Sequence, residues 1–391
     1  MARPRLAFGL FAAAAMTSGV ARAEPRVPAS DAEVLEQVAN PVPRRRQPLS
    51  DERLALRARP GDAIAAAALA REYVDLARQT GDPRYTGRAQ AVLSPWWREP
   101  EPPAPVLLLR AVVKQSRHDF APALADLRRL LERDPLDAQA WLTRASVEQV
   151  VGDYTTARAS CGKLHSLAPG LIATACAAGV DSLTGALGRS REALTTALVA
   201  GGAPSSAVEV WVRTELGEMA ARAGDAAAAE RELRQALSVA PDPYALGALA
   251  DQLLDRGRAQ EAAALLREHT SIDGLLLRLA EAERAAGIDA TARIADLRDR
   301  FAASRLRGDA VHAREEARFA LVLDHDPARA LALAQEDWAI QKEPADARVL
   351  LEAALASNRE AARPVLDFLE RAGTEDVHLD ELRARLRGDP R

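Results

Sequence analysis

A short pattern recurs along this chain at a nearly fixed interval, and that recurrence narrows the fold more than any other feature. A Gly-Asp step or its equivalent stands at Gly152-Asp153, Gly188-Arg189, Gly224-Asp225, Gly257-Arg258 and Gly287-Ile288, at intervals of 36, 36, 33 and 30 residues. Five residues after each glycine comes an alanine: Ala157, Ala193, Ala229, Ala262 and Ala292. His118-Asp119 with Ala123 keeps the offset one interval upstream, and Pro135, Pro169, Pro241 and Pro344 stand near unit ends. Units of this size cannot bury their own apolar face, so they must stack and share a core.

Each column has a physical reason. Small residues at Ala111, Ala145, Gly179, Gly217, Ala250 and Ala280, answered by Ala123, Ala157, Ala193 and Ala229 from the second half of a unit, let two helices approach closely. Glycine between the helices ends the first, because it enters the left-handed region at little cost. Proline at the unit end cannot continue the second. Leu127 with Leu130, and Leu233 with Leu237, give the second helices an apolar stripe at three- and four-residue spacing. Alanine-rich runs such as 63–68 and 226–229 sit among Leu, Arg and Glu, all good helix formers, while aromatics are only 4% and no alternating β-branched run suggests a strand. At 391 residues the chain also exceeds what one core usually serves, about 250–300 residues. A linear array has no such ceiling.

These residues resemble the tetratricopeptide repeat family. Residues 138–171 carry its pattern in Trp141, Ala145, Gly152, Tyr154, Ala157, Leu164 and Pro169, and residues 210–243 carry Leu216, Gly217, Gly224, Ala229, Ala236 and Pro241. The units at 104–137 and 243–272 match well. Those at 172–209, 273–310, 311–344 and 345–373 depart in spacing by a few residues, and 62–100 looks like a degenerate first unit with Gly81-Asp82 at its turn. The resemblance implies an all-α fold: a right-handed α-solenoid of about nine helix-turn-helix repeats over residues 61–373. Residues 374–391 then hold a polar capping helix, Asp376 to Leu386, and a tail. It says little about function, because the family is united by architecture.

The first residues read as an export signal. Arg3 and Arg5 precede a mainly apolar stretch from Leu6 to Val20, and Ala21-Arg22-Ala23 has the small-x-small form of a cleavage site. Residues 1–23 are therefore expected to be a signal peptide and 24–60 a Pro-rich leader. Sec-type export would place the mature protein, from Glu24, in the periplasm or outside the cell, with no membrane span. Cleavage would move the formal net charge from −4 to −7, since three arginines and no acid are lost. Arginine and acid are interspersed throughout, which disfavours a nucleic-acid partner. Cys161 and Cys176 are the only cysteines, an even count that suggests a disulfide in an exported chain. Two buried free thiols are the rival reading. A metal site using Cys161 with His165, four residues on, would be one ligand short of structural zinc.

No catalytic constellation emerges. His118, His165, His269, His312, His325 and His378 form no metal-hydrolase pair, and no phosphate loop, nucleophile elbow or dinucleotide fingerprint occurs. No cofactor is expected. Trp96-Trp97, beside Pro95, reads as the cover of an open core end or as a binding platform, and Trp338 reads as core. The resemblance places the first helix of each pair on the concave side. The groove would then offer Leu108, Val112, Gln115, Leu142, Ser146 and Gln149, apolar or neutral, followed by Glu218, Arg222, Asp251, Asp255, Glu281, Arg284 and Glu315. Two arginines against five acids suit an extended segment of another protein carrying basic residues. The expected function is an exported protein–protein interaction scaffold, a chaperone or assembly factor for an envelope protein, and not an enzyme. The alternatives are a solenoid for cell-wall fragments and an accessory subunit of an envelope enzyme.

Overall fold

The computed structural model describes residues 61–306 and 313–388, together with Arg53, Leu56 and Arg59. The expected signal peptide, most of the leader and His312 lie outside the described residues. Among the described residues there are nineteen α-helices, eighteen of them in nine consecutive pairs. The first four pairs are α1 (Ala63–Thr80) with α2 (Pro83–Val92), α3 (Ala104–Gln115) with α4 (Phe120–Arg133), α5 (Ala138–Val150) with α6 (Tyr154–Leu167), and α7 (Leu171–Ser182) with α8 (Leu187–Gly201). Then come α9 (Ser206–Arg222) with α10 (Ala226–Val239), α11 (Pro243–Asp255) with α12 (Ala259–Leu266), and α13 (Asp273–Ala285) with α14 (Thr291–Leu306). The last pairs are α15 (Ala313–Val322) with α16 (Pro327–Ile340) and α17 (Pro344–Ala356) with α18 (Arg363–Ala372), and α19 (Val377–Arg387) follows alone.

The recurrent Gly-Asp step divides two tasks. Gly152 and Gly224, at φ 82° and 77°, turn the chain out of the first helix. The next residue caps the second helix, as Asp153 accepts from the Thr156 amide at 3.2 Å and Asp225 from the Ala228 amide at 3.1 Å. His118 and His325 take the same left-handed conformation without glycine, at φ 59° and 55°, so both are turn residues. One assignment from the sequence needs correction. Gly188 lies inside α8, and the turn glycine of that unit is Gly185, φ 79°. Counting from the true turn, the buried small position is Ser190, and Ala193 is exposed. Ala292 is exposed too, and the buried alanine after Gly287 is Ala290, just ahead of α14.

The other small positions are buried as the helix-approach argument requires, Ala111, Ala145, Ala250 and Ala280 at 0–1% exposure. At Gly217 an added Cβ would stand 2.8 Å from Leu233 Cγ, so α9 and α10 could not keep their separation. Successive first helices touch one another along the whole array, from α1 on α3 to α17 on α19, whereas the second helices do not pack together to a comparable extent. That inequality curves the array with the first helices inside.

The array curves far enough to meet itself. Three consecutive turns, at Gly152, Gly185 and Gly224, receive Phe368, Gly373 and Val377 of the C-terminal segment. The Lys342 amide donates to the Val150 carbonyl at 2.7 Å, the Tyr154 hydroxyl to the Lys342 carbonyl at 3.3 Å, and the Thr374 hydroxyl to the Leu183 carbonyl at 3.0 Å. The Leu187 amide donates to Glu375 at 2.8 Å. Near the start of the array α1 reaches α11, and the Gly81 turn lies against Ile272.

Candidate functional site

Self-closure turns the concave face into a cavity of about 440 Å³. Its array wall comes from first helices α5, α7, α9, α11, α13 and α15, and its opposite wall from residues 342–352 and 376–379. Of the residues expected in the groove, Gln149, Glu218, Arg222, Asp251, Glu281 and Glu315 line this cavity. Asp255 stands at its edge, accepting a bidentate pair from Arg348 at 2.6 and 2.8 Å. Arg284 is turned away and donates to the Val322 carbonyl. The apolar end does not join the site. Leu108 is core, Val112 and Leu142 pack on core clusters, and Gln115 and Ser146 are half-buried elsewhere on the first helices.

The expected acidic balance narrows in the assembled lining. Arg278, Arg314, Arg318, Lys342 and Arg348 join Arg222, so that eight acids face six bases. Most acids of the strip are held by these cations. Asp251 accepts from Arg278 Nη2 at 2.7 Å, and Glu281 accepts from Arg318 Nη2 at 2.6 Å. Burial works against the Asp251 carboxylate, but Arg278 and Arg318 outweigh it and hold Asp251 well below the ordinary carboxylate range. Arg318, despite burial, is raised well above its usual value by Asp251 and Glu281.

A second group is short of cations. Glu218 accepts from the Tyr244 hydroxyl at 2.6 Å, and Glu215 accepts from Trp211 Nε1 at 3.3 Å one turn earlier on α9. Glu343 faces them from the opposite wall and takes a hydrogen bond from Arg314 at 3.1 Å. Burial, with the Glu215 charge added, pushes Glu218 up to about 7. Burial and Asp346 push Glu343 up to about 7. These side chains are half-buried by surface, but the surface they keep faces the cavity, where protein replaces much of the bulk water. Tyr244, though 58% exposed, points into the same space, and the Glu218 charge followed by burial raises its hydroxyl well above the usual value.

The remaining sequence candidates have structural places. Cys161 of α6 and Cys176 of α7 form a disulfide, with Cα atoms 5.6 Å apart, and His165 is exposed. Trp96 and Trp338 are buried, whereas Trp97 is half-buried with the Lys114 ammonium 5.8 Å from its ring centre. Sequence reasoning missed Glu215, Arg278 and Arg318, which stand three residues from Glu218, Glu281 and Glu315 on the same helices. Extending each groove column by one helical turn finds them. It also missed Lys342, Glu343, Arg348 and His378, which carry no such signal because they reach the site only through the closure.

Nine stacked helix pairs with their first helices inside define a tetratricopeptide-like α-solenoid. Comparison with family sequence profiles and with curated proteins returns no match. Several solved structures are similar. One is the Rap protein complexed with Competence and Sporulation Factor, at 14% identity over 86% of this chain and 91% of that one, TM-score 0.48. Another is PilW, a type IV pilus biogenesis factor, at 22% identity over 51% of this chain and 93% of that one, TM-score 0.40. A third is a tetratricopeptide repeat protein from Parabacteroides merdae, at 13% identity over 78% and 99%, TM-score 0.38.

Proposed function

We propose that this chain is an exported protein–protein interaction scaffold whose cavity holds a short stretch of a partner through a basic side chain. The observation that carries the reading is the group Glu215, Glu218, Tyr244 and Glu343, an anionic pocket left short of cations inside a lining whose other acids are mostly paired. An ammonium or guanidinium entering there would lower the cost of ionising three crowded carboxylates. Export is supported by the basic, apolar, small-x-small order of residues 1–23 and by the Cys161–Cys176 disulfide, a bond that persists in oxidising compartments. A chaperone or assembly role for an envelope protein fits such a scaffold.

Glu218→Lys is the informative variant, because the new ammonium would sit among Glu215 and Glu343 without unfolding the array. Capture from envelope extract, with and without muramidase, should recover one protein in both cases, and the variant should weaken that capture by about tenfold or more. Recovery that depends on intact wall material would instead support binding of cell-wall fragments. Undiminished capture by the variant would place the partner elsewhere.

A further inference from the structure

The contact that closes the cavity differs in kind from the contacts that build the array. Repeats are joined by helix faces packed along their length, but no helix of α5–α12 packs lengthwise on α17, α18 or α19. Closure is made at turns, by the four hydrogen bonds given above, by the contacts of Arg348 and His378 with Asp255, and by apolar side chains, Ala372, Val377 and one aromatic rivet. That rivet is Phe368, whose ring centre lies 5.8 Å from Tyr154 and 5.3 Å from Trp338. A solenoid changes its curvature by small rotations summed over many repeats, so such a contact can part without melting any helix.

Like charges are set against one another across this contact. Glu215 and Glu218 belong to the array wall, and Glu343 belongs to the closing wall of the same cavity. We propose that the closure is a proton-governed clasp, shut while these facing carboxylates carry protons and forced apart when they ionise, so that access to the cavity follows pH. Several groups surround the three carboxylates. They are Arg222 on α9, Tyr244 on α11, Arg314 and Glu315 on α15, Lys342 and Asp346 beside Glu343, and Asp376 and His378 on the closing wall, where Asp376 faces Arg222 and His378 lies 3.9 Å from Asp255. Among the described residues Arg314 is the cation bonded to Glu343, and it is shared with Asp346 and Glu315. Arg222 spends two donors on the Ser182 carbonyl and hydroxyl.

The direction follows from proton linkage. In the closed state Glu218 and Glu343 titrate near 7, whereas their ordinary value is 4.5. Between those values the closed state holds more protons than the open one, so closure is strongest in acid and weakens as pH rises through about 7. Part of each rise stays with the array after opening, since Glu215 shares α9 with Glu218 and Asp346 follows Glu343 in α17, so each carboxylate weakens closure by up to about tenfold between pH 6 and pH 8.

Two amides report closure directly in the free protein: Lys342, bonded to Val150, and Leu187, bonded to Glu375. Their hydrogen-exchange protection, corrected for the intrinsic pH dependence of exchange, should fall about tenfold or more from pH 6 to pH 8. The amide of Leu216, buried within α9, should keep its protection. Glu218→Gln with Glu343→Gln preserves the Tyr244 and Arg314 acceptors and should hold the pH 6 protection at pH 8. Glu218→Gln alone should show a reduced fall. Unchanged protection in the wild type, an equal fall in the double variant, or an equal loss at Leu216 would each overturn the clasp. The proposal concerns entry to the cavity assigned above, and the measurement needs no partner, so its failure leaves the binding reading untouched.

Discussion

Arg110 and Asp126 show how much one pair of residues carries in a thin structure. Both are almost fully buried, at 2% and 1% exposure, and they meet in a bidentate pair at 2.6 and 2.7 Å. Lys114 adds a third bond to Asp126 at 2.6 Å, and the free end of the Arg110 guanidinium donates to the carbonyls of Trp96, Trp97 and Glu99. The pair thereby ties the Pro-rich connection after α2 to the second repeat. Its net value over a well-packed apolar pair is small, because desolvating both charges offsets their attraction. Removing one partner is a different matter. Asp126→Ala should cost about 3–5 kcal/mol in chemical denaturation, since Arg110 would be left buried and uncompensated. Arg110→Met with Asp126→Leu should cost much less. Equal losses in the two variants would mean that packing, not charge, dominates there. Nothing in the repeat pattern marks Arg110, because it occupies a position that most units fill with an apolar side chain.

At the scale of the helix, the disulfide joins α6 to α7, the second helix of one unit and the first of the next. It spans 15 residues, and closing a loop of that size in the unfolded chain accounts for about 3 kcal/mol. Cys161→Ala with Cys176→Ala should lower stability by about that amount. The loss should be local, because each unit of a solenoid leans chiefly on its neighbours. Amide exchange should therefore quicken in α5–α8 and stay unchanged in α13–α14. A uniform change along the array would show that the chain unfolds as one unit. The sequence offered pairing, free thiols and a metal site as rivals for these cysteines, since helix stacking places two faces together but does not set the distance between two particular atoms.

At the scale of the molecule, the closure gives two glycines of the same repeat column different roles. Gly152 and Gly257 both turn the chain with positive φ. A Cβ on Gly257 would meet nothing, whereas one on Gly152 would stand 2.8 Å from Phe368 and 3.2 Å from Lys342. Both alanine variants carry the backbone strain of the left-handed region, about 1–2 kcal/mol. Gly152→Ala should lose about 1–3 kcal/mol more than Gly257→Ala in denaturant titration, and Phe368→Ala should remove most of that difference. An equal loss at both glycines would mean that the closure adds nothing to stability.

What the sequence determined by itself is the helix-pair unit, its turns and its small-residue columns. These rest on chemistry between near neighbours: a left-handed glycine, an aspartate cap three residues from its amide, a stripe at helical spacing. Where that chemistry is doubled, the reading slips. Gly185 and Gly188 both look like turns, and the alanine five residues after Gly188 favoured the wrong one. The composition of the groove lay within reach only in part, because the first helices carry it but three lining residues fall one turn outside the columns. Only the tertiary structure decided that the groove is shut. Tyr154 meets Lys342 across 188 residues, and Thr374 meets Leu183 across 191. That meeting is fixed by the curvature summed over every repeat between them, a quantity to which each local pattern contributes a few degrees and which none of them states.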